Sequence, residues 1–174
     1  MKNSPPDQHP VLLAFGSNLG DRQKQIETAL KALETHPEIS VQALSPWYET
    51  EPIGYTEQGP FLNGVALLHA SLSPLALLSV LQNIEHQLGK STPFLNGPRT
   101  IDLDIIWYAD FTRQYPQLAL PHPRWAERLF VVRPLADLLV ACPEEAVPST
   151  WRTAVAQARE QLDSREWEKM RPWR

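Results

Sequence analysis

Asn96-Gly97-Pro98-Arg99-Thr100-Ile101-Asp102-Leu103-Asp104-Ile105-Ile106-Trp107-Tyr108 is the run around which the rest of the chain arranges itself. Gly-Pro breaks whatever precedes it, and the residues from Arg99 onward are rich in β-branched and aromatic types, so they read as a strand entered from a loop. Side chains alternate along a strand, which sends Ile101, Leu103 and Ile105 to one face and Thr100, Asp102, Asp104 and Ile106 to the other. Two carboxylates thus stand side by side, where they repel each other and resist burial. A divalent cation relieves that conflict. Mg²⁺ suits hard oxygen ligands, taking one or two carboxylates and completing its shell with water and substrate phosphates. Arg99, three residues upstream, brings a planar fork that could hold a phosphate beside the metal. Asp-x-Asp alone is better explained as a solvated strand face; Arg-Thr-x-Asp-x-Asp straight after Gly-Pro is a much rarer coincidence.

Upstream, residues 90–98 form a loop placed to act as a lid, since connections between elements often carry function. Ser73-Pro74 opens a helix with Ser as cap and Pro in the first position; Leu77, Leu81, Ile84 and Leu88 make its apolar stripe and Gly89 ends it. Gln82 and Glu85 flank the stripe: periodicity makes them ordinary exposed positions, with contact to a ligand at the helix end as the sharper alternative. Residues 61–70 read as a strand in which Phe61 and Asn63 share a face. Such a pair can stack on and hydrogen-bond a flat heterocycle, or be a core ring and a turn amide. Residues 39–50 form another strand, irregular at Ser45-Pro46 and so near an edge or a bulge. A loop follows from Glu51-Pro52-Ile53-Gly54. The apolar run 11–15 is a buried strand ending at Gly16-Ser17-Asn18-Leu19-Gly20-Asp21. From Asp21 the pattern is helical, with Ile26, Ala29, Leu30 and Leu33 on one face and Asp21 or Asn18 as cap. The glycine turn matches no dinucleotide or P-loop spacing, so it reads as a tight connection bordering a site.

Downstream, Ala109-Asp110-Phe111 makes a turn and Pro121-His122-Pro123 fixes a histidine between two rigid residues. That histidine could be a general acid, a phosphate ligand or a plain loop residue. Arg124, Arg128, Phe130 and Arg133 come next, then a short helix over 134–140 and another over 150–162. The order strand, helix, strand, strand, helix, strand predicts an α+β fold, a ferredoxin-like βαββαβ sandwich whose helices cover one sheet face, with additional C-terminal helices.

Composition sets the outer limits. The 174 residues suffice for one domain with a substantial core: residues 1–10 as a polar, proline-rich arm, 11–163 as the domain, 164–174 as an unassigned tail. A formal net charge of −4, with no basic block, argues against a nucleic-acid surface, so any phosphate binding must be local. The single Cys142 excludes an intrachain disulfide and leaves zinc without thiolate partners. No apolar run reaches the roughly 20 residues of a spanning helix, and the expectation is a soluble, cytoplasmic protein with no membrane partner.

Gly16-Ser17-Asn18-Leu19-Gly20-Asp21, Tyr48-x-Thr50-x-Pro52-x-Gly54, Phe61-x-Asn63, Gly97-Pro98-Arg99-Thr100-Ile101-Asp102-Leu103-Asp104 and Pro121-His122-Pro123 followed by Arg128-x-Phe130-Val131 together resemble, in order and spacing, the 6-hydroxymethyl-7,8-dihydropterin pyrophosphokinases of folate synthesis. The similarity covers roughly residues 11 to 140. It implies that ATP donates pyrophosphate to a pterin alcohol, with Asp102 and Asp104 coordinating two Mg²⁺ ions. Arg99 would clamp the transferring phosphates, with His122 and Arg128 on the nucleotide side. Phe61 and Phe130 would sandwich the pterin. Asn63, helped by Thr50 and the backbone at Ile53, would read its polar edge. Gln82 and Glu85 would line the ligand cleft, Gly16 would border the pocket, and the protein would be a monomer. The resemblance fails in the loop. Family members carry several arginines there and a tryptophan before Gly-Pro-Arg, whereas 90–96 holds one lysine, Lys90, and Asn96 in the tryptophan's place. Gln117 stands where some members have a further arginine. A binding protein with weak or lost turnover, or a pyrophosphokinase for a modified pterin, is therefore the alternative. A ligand-free interaction module would leave the paired aspartates unexplained.

Overall fold

A computed structural model describes residues 7–91 and 93–173; residues 1–6 of the expected arm, Thr92 of the expected lid and Arg174 of the tail lie outside the described residues. The strands are β1 (His9–Ser17), β2 (Ile39–Leu44), β3 (Tyr48–Thr50), β4 (Phe61–Ala70), β5 (Asp102–Tyr108), β6 (Arg113–Tyr115) and β7 (Leu118–Leu120). The helices are α1 (Arg22–Glu34), α2 (Pro74–Gln87), α3 (Leu129–Ala141), α4 (Ser149–Gln161) and α5 (Ser164–Lys169). The main sheet runs β2-β4-β1-β5, every pairing antiparallel, with β3 also on β4, while β6 and β7 make a separate hairpin. This is the ferredoxin-like order.

Both caps follow local chemistry. Asp21 accepts from Lys24 N (3.0 Å) at the start of α1, and Ser73 accepts from Ala76 N (3.2 Å) before Pro74 opens α2. The buried stripes of α1 (Ile26, Leu30, Leu33) and α2 (Leu77, Leu81, Ile84) pack on Leu13, Phe15, Ile101, Leu103 and Ile105.

Helices cover both faces of the sheet, not one. Leu12, Ala14, Val65, Leu67, Ile106 and Trp107 form a second core with Val131, Leu135 and Leu138 of α3 and Trp151 and Val155 of α4. Trp107 stacks on Trp151 with ring centroids 5.2 Å apart. The unbroken apolar run of β1 is the cause: its alternate residues go to opposite cores, and each face needs a cover.

Three other expectations need correction. The strand expected over 39–50 is two strands, because Ser45 leaves the ladder and its hydroxyl accepts Val65 N–H (2.9 Å). The helix expected from Pro134 begins five residues earlier, at Leu129. Proline lacks only the bond to the carbonyl four residues back, here that of Phe130 in the first turn. Residues 164–173, left unassigned by the sequence, pack on the domain: α5 is followed by an extended stretch in which Pro172 pairs with Tyr48 and Trp173 N donates to Trp47 O (2.7 Å). β1 also starts at His9, within the segment read as a loose arm.

Candidate active site

The β5 carboxylates stand in a row across the sheet. In register, Gly16 of β1 lies between Asn63 of β4 and Asp102 of β5, and Ala14 lies between Val65 and Asp104. Directly paired residues share a face, so Asn63 and Asp102 point the same way with only a glycine between them, roughly 10 Å apart for two strand spacings. That small-residue floor makes room for a ligand. A Cβ on Gly16 would collide with Asn63 Oδ1. Above the floor lies a cleft of about 570 Å³ walled by Phe61, Arg99, His122, Arg128 and Phe130, with Thr50 and Ile53 at its rim.

Cations gather around the carboxylates. Lys90 Nζ is 2.7 Å from Asp102 Oδ1 and 2.9 Å from Glu85 Oε1; Arg99 Nε is 3.4 Å from Asp102 Oδ2; Arg128 Nη1 is 3.9 Å from Asp104 Oδ2. Burial, and then the neighbouring Asp102 charge, push the Asp104 carboxyl up to about 7. Two carboxylates held this close repel each other, and a dication would relieve that repulsion. Among the described residues no group of three or more His, Cys, Asp or Glu could enclose a metal. The pair fits an ion that takes the rest of its shell from phosphates and water, as Mg²⁺ does.

Burial, then Arg128, lowers the pKa of His122, which favours the neutral ring. Its Nδ1 accepts Arg124 N–H (3.1 Å), which puts the proton on Nε2 as a donor. On the other side of the cleft Asn63 Nδ2 donates to Thr50 Oγ1 (2.6 Å). The Arg99 guanidinium lies 5.2 Å from the Phe61 ring centre and that of Arg128 5.7 Å from Phe130. The Phe61 and Phe130 rings thus line the same cleft as these cations and the carboxylate floor.

The family model for 7,8-dihydro-6-hydroxymethylpterin-pyrophosphokinase (HPPK) matches residues 12–140. The chain belongs to this family. It is 42% identical over 134 residues to the 2-amino-4-hydroxy-6-hydroxymethyldihydropteridine pyrophosphokinase of Bacillus subtilis, covering 77% of this chain and 80% of that protein. The enzyme of that name from Pseudomonas aeruginosa is 41% identical over 152 residues, 79% and 94% of the two chains. The folic acid synthesis protein fol1 of Schizosaccharomyces pombe is 47% identical over 126 residues, 72% of this chain and 17% of that much longer one. Wild-type Plasmodium falciparum HPPK-DHPS, solved with pteroate, has the same fold at a TM-score of 0.66 and 14% identity; the match covers 98% of this chain and 46% of that one. As an HPPK family member the chain is a transferase, a pyrophosphokinase of folate biosynthesis.

Within this HPPK fold the sequence-predicted residues fall into two groups. Gly16, Thr50, Ile53, Phe61, Asn63, Arg99, Asp102, Asp104, His122, Arg128 and Phe130 all line the one cleft. Gln82 does not: it sits on the exposed side of α2. Glu85 is 8% exposed, against the exposure that periodicity suggested. Burial raises its pKa, and its Oε1 takes Leu103 N–H (2.7 Å) as well as Lys90, tying α2 to β5. Burial opposes the charge on Lys90, but Asp102 and Glu85 outweigh it and its pKa rises.

Asn18 is the residue that sequence reading undervalues. It is 7% exposed and grips Arg99 at both ends of its backbone: Asn18 N donates to Arg99 O (3.1 Å) and Arg99 N donates to Asn18 Oδ1 (2.9 Å). Its Nδ2 donates to Gln58 Oε1 (2.8 Å) and Gly59 O (3.1 Å), while Gln58 Nε2 donates to Asn96 O (2.8 Å). Asparagine inside a glycine turn is the available signal, since its amide can bond several backbone groups at once.

Proposed function

We propose that this pyrophosphokinase transfers pyrophosphate from ATP to the hydroxymethyl group of 6-hydroxymethyl-7,8-dihydropterin, with Mg²⁺, giving AMP and the pterin diphosphate. The observation that carries the proposal is the single cleft in which Asp102 and Asp104 share a floor with Asn63 and whose lining includes the Phe61 and Phe130 rings. Asp102 and Asp104 would hold Mg²⁺, which when bound neutralises charge on the phosphates and orients them. Arg99 lines the cleft with its Nε turned to Asp102, and its guanidinium offers donors to the transferring group. Arg128 and the Nε2–H of His122 complete the anion-facing wall. Phe61 and Phe130 set the pterin plane and Asn63 its rotation, so that the substrate's own hydroxymethyl oxygen meets the β-phosphorus. The O–P bond forms as the bond from the β-phosphorus to the α–β bridging oxygen breaks, AMP leaves with that oxygen, and the hydroxyl proton passes to water. No covalent enzyme intermediate is required.

One observation favours a second reading, a pterin-binding relative of low turnover or one that prefers a modified pterin. The loop before Arg99 carries no arginine, and Lys90 is committed to Asp102 and Glu85. Incubation with ATP, Mg²⁺ and the pterin decides between them. AMP formation above the ATP-only control is the expected result; both ligands bound without AMP favours the second reading, and ADP as product rejects pyrophosphoryl transfer.

A further inference from the structure

The residues after 163 lie outside the segment matched to the family, yet they reach the wall of the pterin slot. β3 is only three residues long and makes no ladder with β2, so its pairing to β4 is a marginal hold on Thr50. Its other edge is occupied by the C-terminal end. Pro172 pairs with Tyr48, Trp173 N donates to Trp47 O (2.7 Å), and the Trp173 indole stacks on Trp47 with centroids 6.3 Å apart. The Tyr48 hydroxyl bonds Asp137 of α3, and Arg133 Nε reaches the same hydroxyl at 3.3 Å. The Arg133 guanidinium lies 5.6 Å from the Tyr48 ring centre and 4.8 Å from that of Trp167 in α5. α3, β3 and the C-terminal segment are thus bolted together at one point.

α3 carries Phe130 and β3 carries Thr50, the hydrogen-bond partner of Asn63. A second cavity of about 680 Å³ opens between β3 and the C-terminal segment; Thr50, Glu51, Ile53 and Phe130 line both it and the first cleft. Those four residues form a thin wall with space on either side, and a thin wall keeps its position only if something braces it from behind.

We propose that the C-terminal segment is a positioning strap for the pterin side of the site: by extending β3 it holds Thr50, and through Thr50 the amide of Asn63, at the spacing from Phe130 that admits the ring. The strap does not touch the phosphate side, so its loss should separate the two substrates. This rests on the pterin reading above.

The test is steady-state kinetics and pterin fluorescence titration on three forms of the protein: intact, truncated after Lys169, and Trp173→Ala. The strap predicts a pterin KM and Kd about tenfold higher in both variants, with kcat and the KM for ATP within about twofold of the intact chain. Trp173→Phe, which keeps the stacking ring, should restore the pterin KM. Thr50→Val should raise it similarly, and combining Thr50→Val with the truncation should add little, because both act on one contact. An unchanged pterin KM overturns the strap. So does a fall in kcat with both KM values unchanged, which is the signature of a smaller folded fraction. Failure of the intact chain to bind pterin would instead sink the reading on which the strap rests.

Discussion

The two halves of the cleft are built differently. The carboxylate half sits on β1, β4 and β5, whose hydrogen-bonded register places Asn63, Gly16 and Asp102 in one row. The loop half, residues 90–98, has no strand or helix among its described residues and is held from the side. Gln58 Nε2 bonds Asn96 O, the Tyr55 and Phe94 rings meet edge-on at 4.9 Å, and Asn96 packs against Gly54. Asn96 and Gly54 both have positive φ, +60° and +88°. Such backbone is tolerated by Asn and Gly and strained for most others, so a tryptophan at 96 would be costly. The sheet half thus carries the carboxylates of the proposed transfer site, while the loop beyond Lys90 is held by neutral and aromatic contacts. Catalytic power should therefore reside in the sheet, with the loop setting its upper limit.

Breaking the sheet half should have the largest effect. Asp102→Ala or Asp104→Ala is expected to lower kcat by about 10³-fold or more, comparable to losing a principal electrostatic group elsewhere, with pterin Kd little changed. Retained turnover in either variant would remove the metal assignment. Next comes the floor: Gly16→Ala forces a methyl onto Asn63 Oδ1 and should cost about 1–3 kcal/mol of stability or pterin affinity, read by thermal melts and titration. Unaltered pterin binding in the Gly16→Ala variant would show that the Asn63 amide is free to move.

The loop half should respond more mildly. Gln58→Ala removes the bonds to Asn18 and Asn96 and should cost about 0.5–1.5 kcal/mol, with faster amide exchange in residues 93–98 and an unchanged rate elsewhere. The smallest effect on stability is expected for Leu95→Arg. Leu95 is 86% exposed, so the fold should shift by no more than about 0.5 kcal/mol. If missing lid charge limits turnover, the same change should raise kcat at saturating ATP. A stable Leu95→Arg variant with unchanged kcat would show that the loop's neutrality is not what sets the rate.

Where neighbours in sequence supply the physics, the structure agrees with the pattern of residues. Asp21 and Ser73 cap the helices they precede, Gly89 takes a positive φ where α2 ends, and Phe61 and Asn63 share a strand face. Glu85 goes the other way. Its side-chain type and its place on the helix suggest solvent, and only Leu103 N–H and Lys90, from two other segments, make its burial tolerable. The start of α3 escapes a reading that treats proline as a boundary, because in the second turn Pro134 sacrifices a single bond.

What the amino-acid order determined alone was the alternation that puts two aspartates on one face of β5, the glycine turn that ends β1, and the element sequence of a ferredoxin-like sheet. Those follow from bond geometry and periods of 2 and 3.6 residues, which act within a few positions. Only the tertiary structure decided that helices cover both faces, that Lys90 joins Glu85 to Asp102, that Asn18 clasps Arg99, and that Pro172 pairs with Tyr48 of β3. Each of these joins groups on different elements or loops, and such contacts form when burial and register bring the partners together.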